Sequence, residues 1–188
     1  MKIGILSWLA FLSWGVSEII IVVRTVLLRR DIVSVKTDRG SAWLIRIAVY
    51  AGVTITFAFH AFHWGWVDQP IPDIGAVAMA LGVALRVWSI MAFGKSFSTE
   101  VSIDADQELI KDGPYRWIRH PAYTGLLLVF SFMGLAFHSW LASCAIAAIL
   151  LPCIVYRIRV EERALLSHFG SAYSEYCKTT WRLIPYLW

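Results

Sequence analysis

PAYTGLLLVFSFMGLAFHSWLASCAIAAILLPCIVY, residues 121–156, contains two long apolar runs separated only by His138 and Ser139. Apolar stretches of this kind suit lipid, because a membrane helix needs about 20 predominantly apolar residues. A two-residue connection forces neighbouring helices to run antiparallel. The stretch therefore predicts a hairpin of two membrane spans, at about 121–137 and 140–156.

Working outward, three more apolar runs precede it, at about 3–23, 43–64 and 74–93. The 188 residues are 59% hydrophobic and 16% charged, against roughly 25% charged in soluble domains. The expected fold class is all-α, a polytopic integral membrane protein with about five transmembrane helices. A polar loop and an amphipathic C-terminal helix are expected outside the spans. The whole of 1–188 is read as a single membrane domain whose polar regions, about 94–120 and 157–188, carry the chemistry. The first run is read as a retained helix, since its positive cluster follows it, whereas a signal peptide carries one in front.

Positive residues set the expected orientation. Arg24, Arg29, Arg30, Lys36 and Arg39 follow the first span, and more Lys and Arg follow the third and fifth, whereas the connections after the second and fourth hold none. This puts the N-terminus outside and the C-terminus in the cytoplasm. The net charge of +4 reflects these flanks and forms no basic stripe for nucleic acid. Glu18, Arg46 and Arg86 fall inside spans, where charge is costly. Arg46 and Arg86 lie close enough to the cytoplasmic ends to snorkel, and Glu18 is expected to pair with a basic neighbour. Cys144, Cys153 and Cys177 show neither metal-ligand nor redox spacing, and no metal site is expected. No pair of broken spans suggests a transporter.

Two polar segments stand out. GPYRWIRHPAYTG, residues 113–125, leads into the fourth span, with Pro121 suited to a first helical turn and His120 beside a helix start that favours an anion. RIRVEERALLSHFGSAYSEY, residues 157–176, leaves the fifth span as an amphipathic helix. Arg157 and Glu161, four apart, share a face; Leu165, Phe169 and Tyr173 continue in that direction, and Gly170 is expected to break the helix. The hairpin returns the second segment to the membrane face from which the first departs.

The RHPxYxG motif of residues 119–125, followed by Glu161 and Glu162, resembles the isoprenylcysteine carboxyl methyltransferase family, in particular its short five-span prokaryotic members. The likeness runs from about Phe97 to the C-terminus and includes Gly113, Tyr115 and the FGxxYxxY of residues 169–176. The resemblance implies that the cytoplasmic loop and the amphipathic C-terminal helix form a cofactor pocket. It implies S-adenosyl-L-methionine as methyl donor, with S-adenosyl-L-homocysteine as product, bound at Gln107, Glu108, Leu109, Ile110, Tyr115, His120, Pro121, Ala122, Tyr123 and Glu161. Arg157 matches the family's substrate-binding arginine, and with Glu161 forms the expected catalytic pair. A further donor contact, Gln or Glu in the family, falls on Ser102 here. The expected acceptor is lipophilic, a small molecule or lipidated substrate drawn from a prokaryotic inner membrane. Rival readings are a phospholipid or other lipid N-methyltransferase, a membrane-embedded NADPH-dependent reductase, and a non-enzymatic subunit or carrier.

Overall fold

The computed structural model describes residues 3–27, 40–94 and 108–186. Arg29, Arg30, Lys36, Arg39, Ser102 and Gln107 lie outside them. The described chain is built of helices: α1 (Ile5–Leu27), α2 (Ser41–Ala61), α3 (Ile71–Phe93), α4 (Pro121–Ala136), α5 (Trp140–Phe169) and α6 (Ser171–Thr179). α1, α2, α3 and α5 are long and apolar enough to cross a membrane, and α4 is a shorter apolar helix of 16 residues.

The short α4 is tolerated because protein surrounds it. It packs between α3 and α5; α2 lies against α5 and α1 against α3, and α1 and α2 meet where Trp8 and Phe11 contact Phe57. Val129, Phe130, Met133, Ala136 and Phe137 have no exposed surface. Phe137 and Phe130 also meet Trp8, Phe11, Trp14 and Phe57 edge to face, so α1 and α2 join the core through α4.

The hairpin turn follows the sequence reading and shows its chemistry. His138 adopts φ 66°, Ser139 Oγ accepts from Ala142 N at 3.1 Å to cap α5 and donates to Trp64 O at 2.6 Å. Four boundaries differ from the expected spans by three residues or more, the first being the end of α1 at Leu27 against an expected 23. α2 stops at Ala61, where residues 62–65 turn, three residues short of the expected end. α3 begins at Ile71 because Pro72 fits its first turn, where a missing N–H costs nothing. α5 runs unbroken to Phe169, 30 residues in all. At 1.5 Å per residue it is roughly 45 Å long against a hydrocarbon core of about 30 Å, so the charged stretch from Arg157 onward projects beyond the membrane as a rigid continuation of the span. Gly170, at φ 54°, then separates α5 from α6.

Arg24 donates to Gly94 O at 2.9 Å and to Ile90 O at 3.4 Å, satisfying carbonyls at the end of α3. The ends of α1, α3 and α5 and the starts of α2 and α4 thus gather at one end of the bundle.

Candidate active site

Residues 117–120 run beside the C-terminal tail at that end. Trp181 N donates to Trp117 O at 3.0 Å, Arg119 N to Trp181 O at 2.7 Å, and His120 N to Arg182 O at 3.0 Å, forming a parallel bridge around Ile118 and Trp181. Thr124 Oγ1 donates to Leu183 O at 2.8 Å. The tail therefore grips the chain on both sides of His120 and Pro121, where α4 begins.

From this start Tyr123 reaches α5. Its hydroxyl donates to Glu161 Oε2 at 3.0 Å and accepts from Arg157 Nε at 2.9 Å, bridging the two residues placed on one face by their spacing. Arg157 is buried, 3% exposed, and its Nη1 donates to Ser41 Oγ at 2.8 Å. The His120 ring lies roughly parallel to that of Tyr123, centroids 5.9 Å apart. Its Nδ1 is 3.9 Å from Glu161 Oε2 and its Nε2 3.5 Å from Glu162 Oε1. These separations bring charge close without good hydrogen-bond geometry, and the buried Nε2 has no hydrogen-bond partner.

Glu162 turns toward the tail. Oε1 accepts from Arg119 Nε at 3.1 Å, and Oε2 from Arg182 Nε at 2.9 Å. Arg119 also donates through Nη1 to the carbonyls of Cys177 and Thr180. Burial opposes ionisation of Glu162, but the polar contact and charge of His120, then the charges of Arg182 and Arg119, outweigh it and hold the carboxyl down at about 2. Tyr115 is pushed up, by burial first and then by the negative charge of Glu161, and stays a neutral phenol. Its ring packs on Phe93, and its carbonyl accepts from Tyr176 OH at 2.6 Å, seating α6 on the Gly113–Arg116 turn.

The structure brings His120, Pro121, Ala122, Tyr123, Arg157 and Glu161 together, with Tyr115 within the field of Glu161. Glu108 is exposed and Leu109 and Ile110 are half-buried in the stretch before the turn. Gln107 lies outside the described residues. Sequence reasoning gave Arg119 and Glu162 no role beyond the motif, and it passed over Ser41 and Arg182. The Glu161–Glu162 doublet signalled one of these; Ser41 and Arg182 carry no motif and are found only by their contacts.

A family model described as the isoprenylcysteine carboxyl methyltransferase (ICMT) family matches residues 75–167. The uncharacterized protein YpbQ of Bacillus subtilis is 29% identical over 93 residues, 49% of this chain and 55% of that protein. Protein-S-isoprenylcysteine O-methyltransferase B of Arabidopsis thaliana is 27% identical over 148 residues, 78% of this chain and 73% of that protein. The solved structure of the eukaryotic intramembrane Ras methyltransferase ICMT matches with a TM-score of 0.63 and 26% identity, over 76% of this chain. The chain spans about half the length of the Bacillus protein and of the solved chain, at 55% and 52%.

Proposed function

We propose, from the match of residues 75–167 to the isoprenylcysteine carboxyl methyltransferase family and the likeness to its named relatives, that the chain transfers the methyl group of S-adenosyl-L-methionine to the carboxylate of an isoprenylcysteine-like or other isoprenoid acceptor. S-adenosyl-L-homocysteine is the second product. The observation that carries this reading is the joining of Tyr123, Arg157 and Glu161 by the Tyr123 hydroxyl, with His120 Nδ1 3.9 Å from the same Glu161 oxygen.

The residues present fit such a donor. An adenosyl amino acid with a sulfonium needs an N–H for its carboxylate, an acceptor for its ammonium or ribose hydroxyls, and aromatic faces near its positive charge. His120 offers a buried Nε2 with no hydrogen-bond partner, Glu161 a carboxylate whose side chain is 28% exposed, and Tyr123 and Tyr115 their rings. In this reading His120, Pro121, Ala122, Tyr123, Tyr115 and Glu161 hold the donor, together with Glu108, Leu109 and Ile110 of the stretch before the turn; Gln107, implied by the resemblance, lies outside the described residues. When bound, the donor supplies an electrophilic methyl group on a cationic sulfur.

An α-carboxylate, with an ordinary pKa of about 3.5, is already ionised at neutral pH, so no general base is required. Arg157 holds one acceptor oxygen by a charge-assisted bond and leaves the other for in-line attack, a catalysis of proximity and orientation. The Ser41 hydroxyl at Nη1 is the neutral group that an acceptor carboxylate replaces. Tyr123 keeps Nε engaged and so holds the guanidinium plane. The acceptor's lipid chain stays in the bilayer, where each buried methylene contributes about 0.8 kcal/mol. In this reading residues 1–188 act as one methyltransferase domain of a prokaryotic inner membrane, with the site facing the cytoplasm.

The test is an assay of detergent-purified protein with labelled S-adenosyl-L-methionine and an S-farnesylated cysteine analogue. The expected product is a base-labile methyl ester. Label appearing instead on phosphatidylethanolamine nitrogen would transfer the chain to the lipid N-methyltransferases.

A further inference from the structure

Glu162 has no part in the reaction as drawn, yet among the described residues it is the carboxylate with the most partners at this end of the bundle. Three side chains from two pieces of chain converge on it: Arg119 and His120 from the segment before α4, and Arg182 from the tail. Its side chain is 14% exposed, against 9% for Arg119 and 3% for His120. Both oxygens already accept from arginine, so Glu162 has little capacity left for a ligand. Its neighbour Glu161 engages Oε2 with Tyr123 and is twice as exposed.

A purely structural clamp would explain the two arginines. It would not explain why the same carboxylate also lies 3.5 Å from Nε2 of His120, the buried nitrogen with no hydrogen-bond partner. Groups that touch a ligand are commonly oriented by partners behind them, and loss of such a partner costs about 10- to 100-fold in affinity at metal sites, where this is measured. The backbone adds a second link. His120 N donates to Arg182 O and Arg119 N to Trp181 O, so the tail that Glu162 ties down through Arg182 also fixes the main chain of His120.

We propose that Glu162 is a positioning residue for the donor site: through Arg182 and Arg119 it secures the tail that holds the His120 backbone, and its charge lies 3.5 Å from the His120 ring. This rests on the donor-site reading given above. The tail then belongs to the site, although it lies beyond the residues matched by the family model.

The test is a double-mutant cycle on S-adenosyl-L-homocysteine affinity, measured calorimetrically in detergent for wild type, Glu162→Gln, His120→Asn and the double variant, each checked for folding by its melting transition. Glu162→Gln is expected to weaken binding about 10-fold, and to weaken it less than about 2-fold once His120 is Asn, because residues acting through one another are not additive. Arg182→Gln, at a half-exposed position, serves if Glu162→Gln fails to fold. It is expected to show a several-fold loss that likewise disappears in the His120→Asn background. Unchanged affinity in Glu162→Gln, or losses that simply multiply, overturns the inference while leaving the donor site standing. No binding by folded wild type overturns the donor-site reading and this inference with it.

Discussion

Glu18 and Arg86, 68 residues apart in sequence, meet at 2.6 Å and join α1 to α3 inside the bundle. Arg86 Nη2 makes a second contact with Glu18 Oε2 at 3.3 Å, and Nη1 donates to Ala122 O at 3.3 Å in the first turn of α4. The pair thus supports the donor side of the site from within the membrane. Removing one partner of a buried pair leaves an uncompensated charge, at a cost of about 3–5 kcal/mol. Glu18→Gln is expected near the lower end of that range, since Glu18 keeps some exposure. Glu18→Gln/Arg86→Met should recover most of the loss, read as melting temperature in detergent. Fully additive losses would show that the two residues act separately.

The final glycine of the RHPxYxG motif has a packing reason. A Cβ on Gly125 would lie 2.7 Å from Gly82 O and 2.8 Å from Arg86 N, and one on Gly82 would lie 2.9 Å from Gly125 O. The backbones of α3 and α4 touch here, and overpacking such a contact costs about 1–3 kcal/mol. Gly125→Ala is expected to lower stability by that amount and to weaken donor binding by displacing the start of α4. Gly15→Ala, in open space on α1, is the control and should be neutral or stabilising, since alanine favours a helix by up to about 1 kcal/mol over glycine.

Acid should act through Glu162. Its carboxyl, ordinarily near 4.5, is held down to about 2 in the folded chain, so its stabilisation is fully present above about pH 4.5 and is lost as pH falls toward the folded value. Wild type is therefore expected to lose melting temperature steeply between about pH 5 and pH 3. Glu162→Gln should melt lower at neutral pH and change less across that interval. Parallel curves for the two proteins would remove Glu162 from the acid response.

Arg157→Lys tests the acceptor side. Lysine keeps the charge but not the planar fork that meets Tyr123 and a carboxylate together. Acceptor turnover is expected to fall by about 100-fold, roughly 2.7 kcal/mol, with donor affinity little changed. Ser41→Ala removes the neutral hydroxyl at Nη1, so the Michaelis constant for the acceptor should not rise. A large increase would assign Ser41 to the acceptor itself.

Local signals made much of this legible. The apolar runs and the two-residue turn at His138 and Ser139 disclosed the α4–α5 hairpin, Pro121 marked a helix start, and Gly170 marked a helix end. The four-residue spacing of Arg157 and Glu161 put them on one face, which the structure completes with the Tyr123 hydroxyl. Long-range partners left no periodic trace. Nothing in the sequence joins Glu18 to Arg86 or Ser41 to Arg157, because an isolated charge or serine in an apolar run carries no information about what it faces. The tail beyond α6 carries no motif, and its backbone pairing with residues 117–120 depends on main-chain groups that every residue possesses.

Calorimetric titration of detergent-purified protein with S-adenosyl-L-homocysteine, beside His120→Ala, Glu161→Ala and an NADPH control, tests the central claim most directly. The account predicts saturable binding at one site, weakened by both substitutions, and no response to NADPH. Folded wild type that ignores S-adenosyl-L-homocysteine, or binds it equally well without His120 and Glu161, would contradict the claim that the cluster around Tyr123 is the methyl-donor site.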